Sequence, residues 1–499
     1  MEHQNSHQKP HAILFPYPLQ GHVNPFVNLA IKLARNGFTI TFINTQSIHQ
    51  QISKAGRSNI NDDIEGNDLF SGARKSGLDI QYVTIYDGFS IDFDRSLNHD
   101  EFFEAIMNNF GFHVDELVGK LVLSNPSINI LIVDTFYVWS STIANKYNLV
   151  NVSYWTEPAL VLNLYYHMDL LRKNGHYDCI ENKREDIIDY IPGVKAIKPT
   201  DLPSYLQSND TNTVVNRIIK RAFKEVKNVD FIICNTVQEL ESETIAALLQ
   251  YHSIYPIGPI FSPGFINTSV STSLWSESDC TDWLDAKPHG SVLYVSFGSY
   301  AHTSKETIVE IAHGLMISKV NFIWVLRPDI VSSDETDYLP FGYEDSIKDR
   351  GLIVPWCCQT AVISHSAVGG FLTHCGWNSI MESIWCSVPF ICFPLLTDQF
   401  TNRKLVVDDW KIGFNLCDKG SIRRDEVAEK VKFLMKGKEA EEMKQRIKKI
   451  RKELEDGLAI NGSSQVNFTK FMDDLESKIP KKNVLAVKFE NQQLNHIVK

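Results

Sequence analysis

The sequence predicts an α/β protein built from two doubly wound domains that face each other across a cleft. Short apolar runs alternate with amphipathic helical segments in the first half of the chain, and the alternation starts again in the second half. The region between the halves, Tyr255 to Thr272, is rich in Pro, Gly and Ser, which is typical of a linker. Alternating strands and helices favour parallel sheets covered by helices on both faces.

Composition and charge exclude several classes of protein. The chain of 499 residues is long enough for two or three domains, and its net charge of -11 argues against nucleic acid as a partner. The sequence contains no apolar run of about 18 residues. Its polar N-terminus lacks a signal-peptide core, so we expect no membrane insertion. Nine scattered cysteines favour a reducing, cytoplasmic location, and we expect a monomer.

In the first half, two polar side chains lie near the ends of predicted strands. His11–Phe15 is predicted to be the first strand, followed by a helix with Asn24 as its cap and Pro25 at its first position. His22 lies in the loop between them, and Asp134 ends another predicted strand. A neutral imidazole there can accept a proton from a hydroxyl, and a carboxylate can orient that imidazole. A loop histidine and a helix-capping aspartate are the structural alternatives.

In the second half, the stretch from Trp356 to Gln399 has the features of an anion site. The predicted buried strand Gly370–Thr373 leads through a turn at His374–Gly376 into a helix, which Asn378 and Ser379 can cap. A helix N-terminus presents free N–H groups and a positive dipole end, and phosphate is their commonest ligand.

Further side chains could contact a base and hydroxyl groups. The face of Trp356 can stack on a nucleobase, and Glu382, Asp398 and Gln399 offer hydrogen-bonding groups to hydroxyls. Gly298–Ser299 follow another predicted strand, where they can cap the next helix or hold a diphosphate. A core aromatic at position 356, a core histidine at 374 and a capping box from 379 to 382 are structural alternatives.

The stretch from Trp356 to Gln399 resembles, in register over its full length, the signature box of plant secondary-product glycosyltransferases, the UDP-sugar-dependent family 1 enzymes. The loop Pro16–Val23 is similar to the catalytic-histidine loop of that family. The sequence departs from the family pattern at Cys357–Cys358, at Ser387 and at Phe393. The resemblance implies a GT-B fold, transfer with inversion, and a donor site that needs no metal.

The resemblance also implies a role for each site residue. His22 would be the catalytic base and Asp134 its partner. Glutamine at position 399 is the family's usual mark of glucose preference. The residues expected to bind the UDP-sugar are Ser299, Trp356, Cys357, Gln359, His374, Gly376, Trp377, Asn378, Ser379, Glu382, Asp398 and Gln399.

The expected domain organisation follows the same family. Residues 1–255 form the acceptor-binding domain, 256–275 the linker and 276–461 the UDP-sugar-binding domain. Residues 462–479 form a helix that crosses back to the first domain, and 480–499 form a loose tail. The predicted activity moves glucose from UDP-glucose to a hydroxyl of a small, largely apolar acceptor, such as a flavonoid, phenolic, terpenoid or hormone-like compound, giving a β-glycoside.

Several different functions compete with this prediction. The chain has no Gly-x-Gly-x-x-Gly, which argues against a nicotinamide dehydrogenase. Asp92 and Asp94 have the spacing of a metal-binding pair in metal-dependent glycosyltransferases, but they lie in a polar loop without an apolar strand to deliver them. The chain could also be a UDP-galactose-dependent transferase or an inactive sugar-nucleotide-binding protein. His22 and Asp134 together argue against an inactive protein.

Overall fold

The strands form two parallel sheets. The computed structural model describes residues 9–56, 68–179, 184–261, 272–331, 338–417, 421–437 and 439–479. Within these ranges the first sheet contains β1 (His11–Phe15), β2 (Thr39–Thr45), β3 (Ile80–Ile85), β4 (Ile128–Asp134), β5 (Val150–Trp155), β6 (Phe231–Cys234) and β7 (Ile254–Pro256). The second contains β8 (Val292–Ser296), β9 (Asn321–Val325), β10 (Gly351–Val354), β11 (Val368–Thr373), β12 (Phe390–Cys392) and β13 (Gly413–Asn415).

Helices connect the strands and cover the sheets. Ala12 and Leu14 pack in one core cluster and Ile13 and Phe15 in another, so the first sheet is buried on both faces. The described helices are α1 (Gln20–Arg35), α2 (Gln46–Gly56), α3 (Ser71–Lys75), α4 (His99–Asn108), α5 (Phe110–Ser124), α6 (Ser140–Tyr147), α7 (Ala159–Tyr166), α8 (Met168–Lys173), α9 (Ser204–Gln207), α10 (Val214–Glu225), α11 (Ser242–Leu248), α12 (Thr281–Asp285), α13 (Lys305–Ser318), α14 (Tyr343–Ile347), α15 (Gln359–Ser364), α16 (Trp377–Trp385), α17 (Gln399–Lys404), α18 (Arg424–Lys436), α19 (Glu439–Leu458) and α20 (Ser463–Lys478).

The order of the strands determines where a ligand binds. The order is β3-β2-β1-β4-β5-β6-β7 in the first sheet and β10-β9-β8-β11-β12-β13 in the second. The winding direction reverses between β1 and β4 and between β8 and β11, and such sheets bind ligands beyond the carboxyl ends of the strands at this reversal. Phe15 pairs with Val133 and Ser296 with Thr373, so the segments after each pair start side by side. The predicted pair of doubly wound domains is confirmed.

Helix α1 begins earlier than the sequence predicts. It starts at Gln20, so Asn24 is not its cap and Pro25 is an internal residue. The pair Asn-Pro is typical of a helix start because proline lacks the N–H that a first-turn residue does not need. Inside a helix, a proline is tolerated when another group donates a hydrogen bond to the carbonyl four residues earlier. His22 therefore lies in the first turn of α1 and not in a loop.

That other donor comes from the second domain. Proline at position 25 leaves the carbonyl of Gly21 without its helical partner. The Nδ2 of Asn378 donates a 2.8 Å hydrogen bond to this carbonyl. The residue beside His22 is thus joined directly to the first turn of α16.

The last helix packs on the first domain. Phe468, Phe471 and Leu475 of α20 lie in the same core cluster as Leu14 of β1. Strand β7 ends at Pro256, one residue inside the expected linker, and residues 262–271 of that linker lie outside the described residues. The expected loose tail, 480–499, also lies outside them. In the described ranges we find no helix whose length and apolarity would suit a membrane span.

Candidate active site

A cavity of about 430 Å³ opens where the carboxyl ends of the two sheets face each other, and residues of both domains line it. This volume lies within the range of small-molecule sites. Of the predicted site residues, all line the cavity except Asp134, which is 1% exposed and lies directly behind His22. The two halves of the predicted site are therefore brought together in one cleft.

His22 and Asp134 form a buried hydrogen-bonded pair. The distance from His22 Nδ1 to Asp134 Oδ2 is 2.7 Å, and the backbone N–H of Phe136 donates to the other carboxylate oxygen at 3.0 Å. An ionised carboxylate only accepts hydrogen bonds, so Nδ1 carries the hydrogen and Nε2 is left to accept a proton. The side chain of His22 is 13% exposed, toward the cleft. This geometry is that of an oriented general base.

Thr156 is a site residue that the sequence analysis missed. Its hydroxyl lies 3.2 Å from Nδ1 of His22, and the residue lines the cavity. It directly follows β5, which is adjacent to β4 in the sheet. The rule that drew attention to Asp134, a polar residue at the end of a buried strand, would also have selected Thr156.

Two glycines enclose the imidazole of His374. A Cβ added to Gly298 would lie 2.4 Å from His374 Nε2, and one added to Gly376 would lie 2.5 Å from it. Gly298 also has a φ of 75°, in the region that favours glycine. The ring is therefore held tightly, with Nε2 next to both glycines. His374 directly follows β11 and lines the cavity.

Arg327 supports this loop from behind and was not found from the sequence. Its guanidinium is 1% exposed and donates to the carbonyl oxygens of Gly298 and Ala301, and to Asp329 at 2.9 Å. Burial and the nearby guanidinium lower the pKa of His374 to about 4, so this histidine is neutral at pH 7. In the sequence, Arg327 is a single arginine after β9 and does not differ locally from a surface arginine.

The N-terminus of α16 points into the cleft. The helix begins at Trp377 with Gly376 before it, so the backbone N–H groups of Trp377, Asn378 and Ser379 belong to its first turn. The predicted cap at Asn378 and Ser379 is therefore wrong by two to three residues, because glycine takes the cap position. Ser299 lies across the cavity after β8. It does not cap α13, since the Ser304 hydroxyl accepts from the N–H of Thr307.

A hydrogen-bonded group lies beside Trp356. The amide of Gln359 donates to Glu382 at 2.7 Å and to the hydroxyl of Ser379 at 2.9 Å. Burial raises the pKa of Glu382 to about 7, and the hydrogen bond from Gln359 offsets part of this effect. The Ser379–Glu382 capping box is not formed. Carboxylate and amide groups next to a half-buried indole suit a ribose and its base.

Cys357 and Trp377 contribute differently from the expected ligands. The thiol of Cys357 is 3% exposed and lies 3.8 Å from the hydroxyl of Tyr294, so its side chain packs in the core. The indole N–H of Trp377 donates to the carbonyl of Asn235, in the first domain, at 2.9 Å. The Trp377 side chain therefore joins the two domains, while its backbone N–H lies in the first turn of α16 and the residue lines the cavity.

Asp398 and Gln399 are held by their own loop. Asp398 accepts from the hydroxyl of Thr397 at 2.7 Å, and Gln399 Oε1 accepts from the N–H groups of Leu395 and Leu396 at 2.8 and 3.0 Å. The amide nitrogen of Gln399 stays available as a donor. Both residues are nearly buried, so their positions are well defined.

The structure gives no support to the rival metal site. Asp94 Oδ1 accepts from the N–H groups of Ser96 and Leu97, and Asp92 is exposed. Asp94 therefore closes its own turn. Across the part of the chain that the structure describes, no cluster of three His, Cys, Asp or Glu residues has the arrangement of a metal site.

Comparison with known proteins agrees with this geometry. The family profile described as UDP-glucoronosyl and UDP-glucosyl transferase matches residues 204–454. UDP-glycosyltransferase 86A1 of Arabidopsis thaliana is 59% identical, over 95% of this chain and 96% of its own length. UDP-glycosyltransferase 86A2 of the same plant is 55% identical, over 96% and 97%.

A solved structure has the same architecture. That of Phytolacca americana UGT2 complexed with UDP-2fluoro-glucose and pterostilbene aligns with a TM-score of 0.75 and 26% identity, over 95% of this chain and 100% of that one. This similarity confirms the GT-B fold. The chain is therefore a member of the plant family 1 UDP-glycosyltransferases, and thus a transferase.

Proposed function

We propose that this transferase moves glucose from UDP-glucose to a hydroxyl of a small, largely apolar acceptor, with inversion at the anomeric carbon. The observation that carries the proposal is the 2.7 Å pair of His22 and Asp134 in the same cavity as the N-terminus of α16. A base and an anion site that share one cavity match the two ends of a displacement reaction.

The reaction follows from these positions. The acceptor O–H gives its proton to Nε2 of His22, and the acceptor oxygen forms a bond with the anomeric carbon. The bond from that carbon to the diphosphate oxygen breaks, and UDP leaves on the opposite face. Asp134 stabilises the imidazolium that forms. Holding both substrates in line supplies much of the rate.

The donor site is suited to a diphosphate without a metal. The first-turn N–H groups of α16 and the imidazole of His374 line the cavity in which we place the diphosphate, where charge grows on UDP. His374 is neutral, so it acts as a hydrogen-bonding group and not as a counter-charge. Glu382 is assigned to the ribose and Trp356 to the uracil.

A chelator tests whether the transfer reaction needs a metal ion. We expect the rate of UDP release to be unchanged by EDTA, because helix N–H groups and His374 already meet the diphosphate charge. The assay compares initial rates with and without EDTA. Loss of activity on chelation, with recovery on adding Mn²⁺, would contradict the proposed donor site and turn attention to Asp92 and Asp94.

Donor choice tests the role of Gln399. Its amide nitrogen can donate to a sugar hydroxyl, and a lost hydrogen bond to a buried group costs about 1–3 kcal/mol. We expect kcat/KM for UDP-glucose to exceed that for UDP-galactose by roughly ten- to a hundredfold. Gln399→His should narrow this ratio, whereas Gln250→His on the surface should not. Equal use of both donors by the unmodified protein would show that Gln399 does not set the choice.

The acceptor half of the cavity supports an apolar substrate. Phe103, Phe136, Val215, Ile218 and Ile219 line it. The P. americana structure named above contains pterostilbene beside its UDP-2fluoro-glucose. The decisive experiment is measurement of UDP release and product mass over a panel of hydroxylated acceptors with UDP-glucose.

The nine free cysteines support the reducing cytoplasm as the place of this activity. We assign the activity to a monomer that acts in secondary metabolism.

A further inference from the structure

Glu157 is a carboxyl group in the cleft that the reaction above does not use. It follows Thr156 at the end of β5 and lines the cavity, where it is half-buried. Tyr165 and Tyr205 of the first domain lie near enough for its charge to affect their ionisation, and both line the same cavity. Glu157 therefore lies on the first-domain wall of the cleft and directly follows the residue that contacts His22.

Glu157 is not needed to begin helix α7. The first N–H groups of that helix, from Ala159 and Leu160, donate to the carboxylate of Glu241 at 3.0 and 2.8 Å. The hydroxyl of Thr236 also donates to this carboxylate. A second glutamate thus performs the capping role that is the simplest explanation of an acidic residue before a helix.

The carboxyl of Glu157 has no hydrogen-bond or ion-pair partner within the ranges that the structure describes. Burial, together with the negative charges of Asp398 and Asp134, raises the pKa of Glu157 well above its ordinary value. A carboxyl group accepts hydrogen bonds through its oxygens and, when protonated, also donates one, so it can bind a hydroxyl group in either state. A carboxyl that lines the cavity without a partner among the described residues is therefore available to a hydroxyl of a ligand.

We infer that Glu157 determines acceptor specificity by hydrogen bonding to a second hydroxyl, so that the preferred acceptor is a neutral, apolar scaffold with two hydroxyl groups. One hydroxyl reacts at His22 and the other binds Glu157. An acceptor bearing a carboxylate is disfavoured, because Asp134 and Asp398 lie close by. This inference rests on the proposed function for the location of the acceptor, and it adds the class of acceptor.

The sugar is the other possible partner of Glu157, and the structure favours the acceptor. The groups expected to bind the sugar come from the second domain, through the loop of Asp398 and Gln399. Glu157 comes from the first domain, and the tyrosines near it are first-domain residues of α7 and α9. The carboxyl therefore belongs to the first-domain wall of the cavity, which also contains Phe136.

Binding of three matched naphthols to the UDP-loaded protein tests the inference. The probes are 2-naphthol, 2,7-dihydroxynaphthalene and 6-hydroxy-2-naphthoic acid, and calorimetry gives their dissociation constants. We expect the diol to bind about tenfold more tightly than the other two, since one hydrogen bond in a buried site is worth about that factor. Glu157→Leu should bring diol and mono-ol within about twofold, and Glu157→Gln, which still donates and accepts, should keep most of the preference.

Glu241→Gln is the matched control. It alters the capping carboxylate of the same segment, so it should lower Tm while leaving the ratio of the two naphthol affinities unchanged. Equal binding of diol and mono-ol by the unmodified protein would overturn the inference. So would a preference for the naphthoate, binding of none of the probes, or a Glu157→Leu effect confined to UDP-glucose affinity. Diol preference without any glycosyl transfer would instead contradict only the proposed function.

Discussion

His22→Ala is expected to lower kcat by about a thousandfold, within the range that general base catalysis supplies. The substitution removes the group that takes the acceptor proton, while the donor site lies on the other domain. The affinity for UDP should therefore change by less than about twofold. The loss of a single hydrogen bond would have a larger effect on the affinity. Single-turnover rates and calorimetric titration with UDP measure the two effects separately. His289→Ala, at an exposed histidine, is the control.

Asp134→Asn extends this test to the partner of the base. The amide keeps the shape but can donate to Nδ1, which favours the tautomer with its hydrogen on Nε2. We expect a loss of kcat similar to or smaller than that of His22→Ala, again with UDP binding intact. If either variant kept most of its turnover, His22 would not be the base. If UDP affinity fell in parallel, the loss would reflect damage to the fold.

Gly298→Ala is expected to weaken UDP binding by roughly ten- to a hundredfold, because the new methyl would displace the imidazole of His374 and a hydrogen bond to a charged group contributes about 1.5–3 kcal/mol. The new methyl would lie 2.4 Å from His374 Nε2 and would force the imidazole or the loop to move. Arg327 holds the Gly298 carbonyl from the other side, so the loop cannot easily withdraw. Calorimetric titration with UDP measures the loss.

Gly290→Ala is a matched control for this substitution. Gly290 has a φ of 63°, close to the 75° of Gly298, so both substitutions introduce similar backbone strain. A Cβ at Gly290 would meet no atom within 4 Å. Gly290→Ala should therefore lower Tm without changing UDP affinity. Equal UDP affinity in both alanine variants would show that contact with His374 does not determine the donor site.

The fold was accessible from the sequence because it depends on local patterns, whereas the pairing of His22 with Asp134 was what the family resemblance implied. Buried apolar runs indicate the strands, and the end of each strand marks the edge where ligands bind. The start of α1 was predicted wrongly because a long-range donor, Asn378, makes an internal Pro25 tolerable. A rule that considers only neighbouring residues cannot detect this compensation.

Other features depend entirely on contacts between distant segments. Arg327 and Glu157 are ordinary charged residues in the sequence, and only the folded chain shows one buried behind Gly298 and the other unpaired in the cleft. The departure at Ser387 has a local explanation that the structure supplies. Its φ is 58°, in the left-handed region that favours glycine.

The bond between Asn378 and Gly21 has a consequence for how the two domains work together. Rotation of one domain against the other would move a base attached only to the first sheet away from a donor attached only to the second. The carbonyl freed by Pro25 ties the first turn of α1 to the first turn of α16, 2.8 Å from donor to acceptor. This contact therefore fixes the position of the base, His22, relative to the helix that faces the diphosphate. A change in the angle between the domains should therefore displace His22 from the donor site less than it displaces the outer edges of the domains.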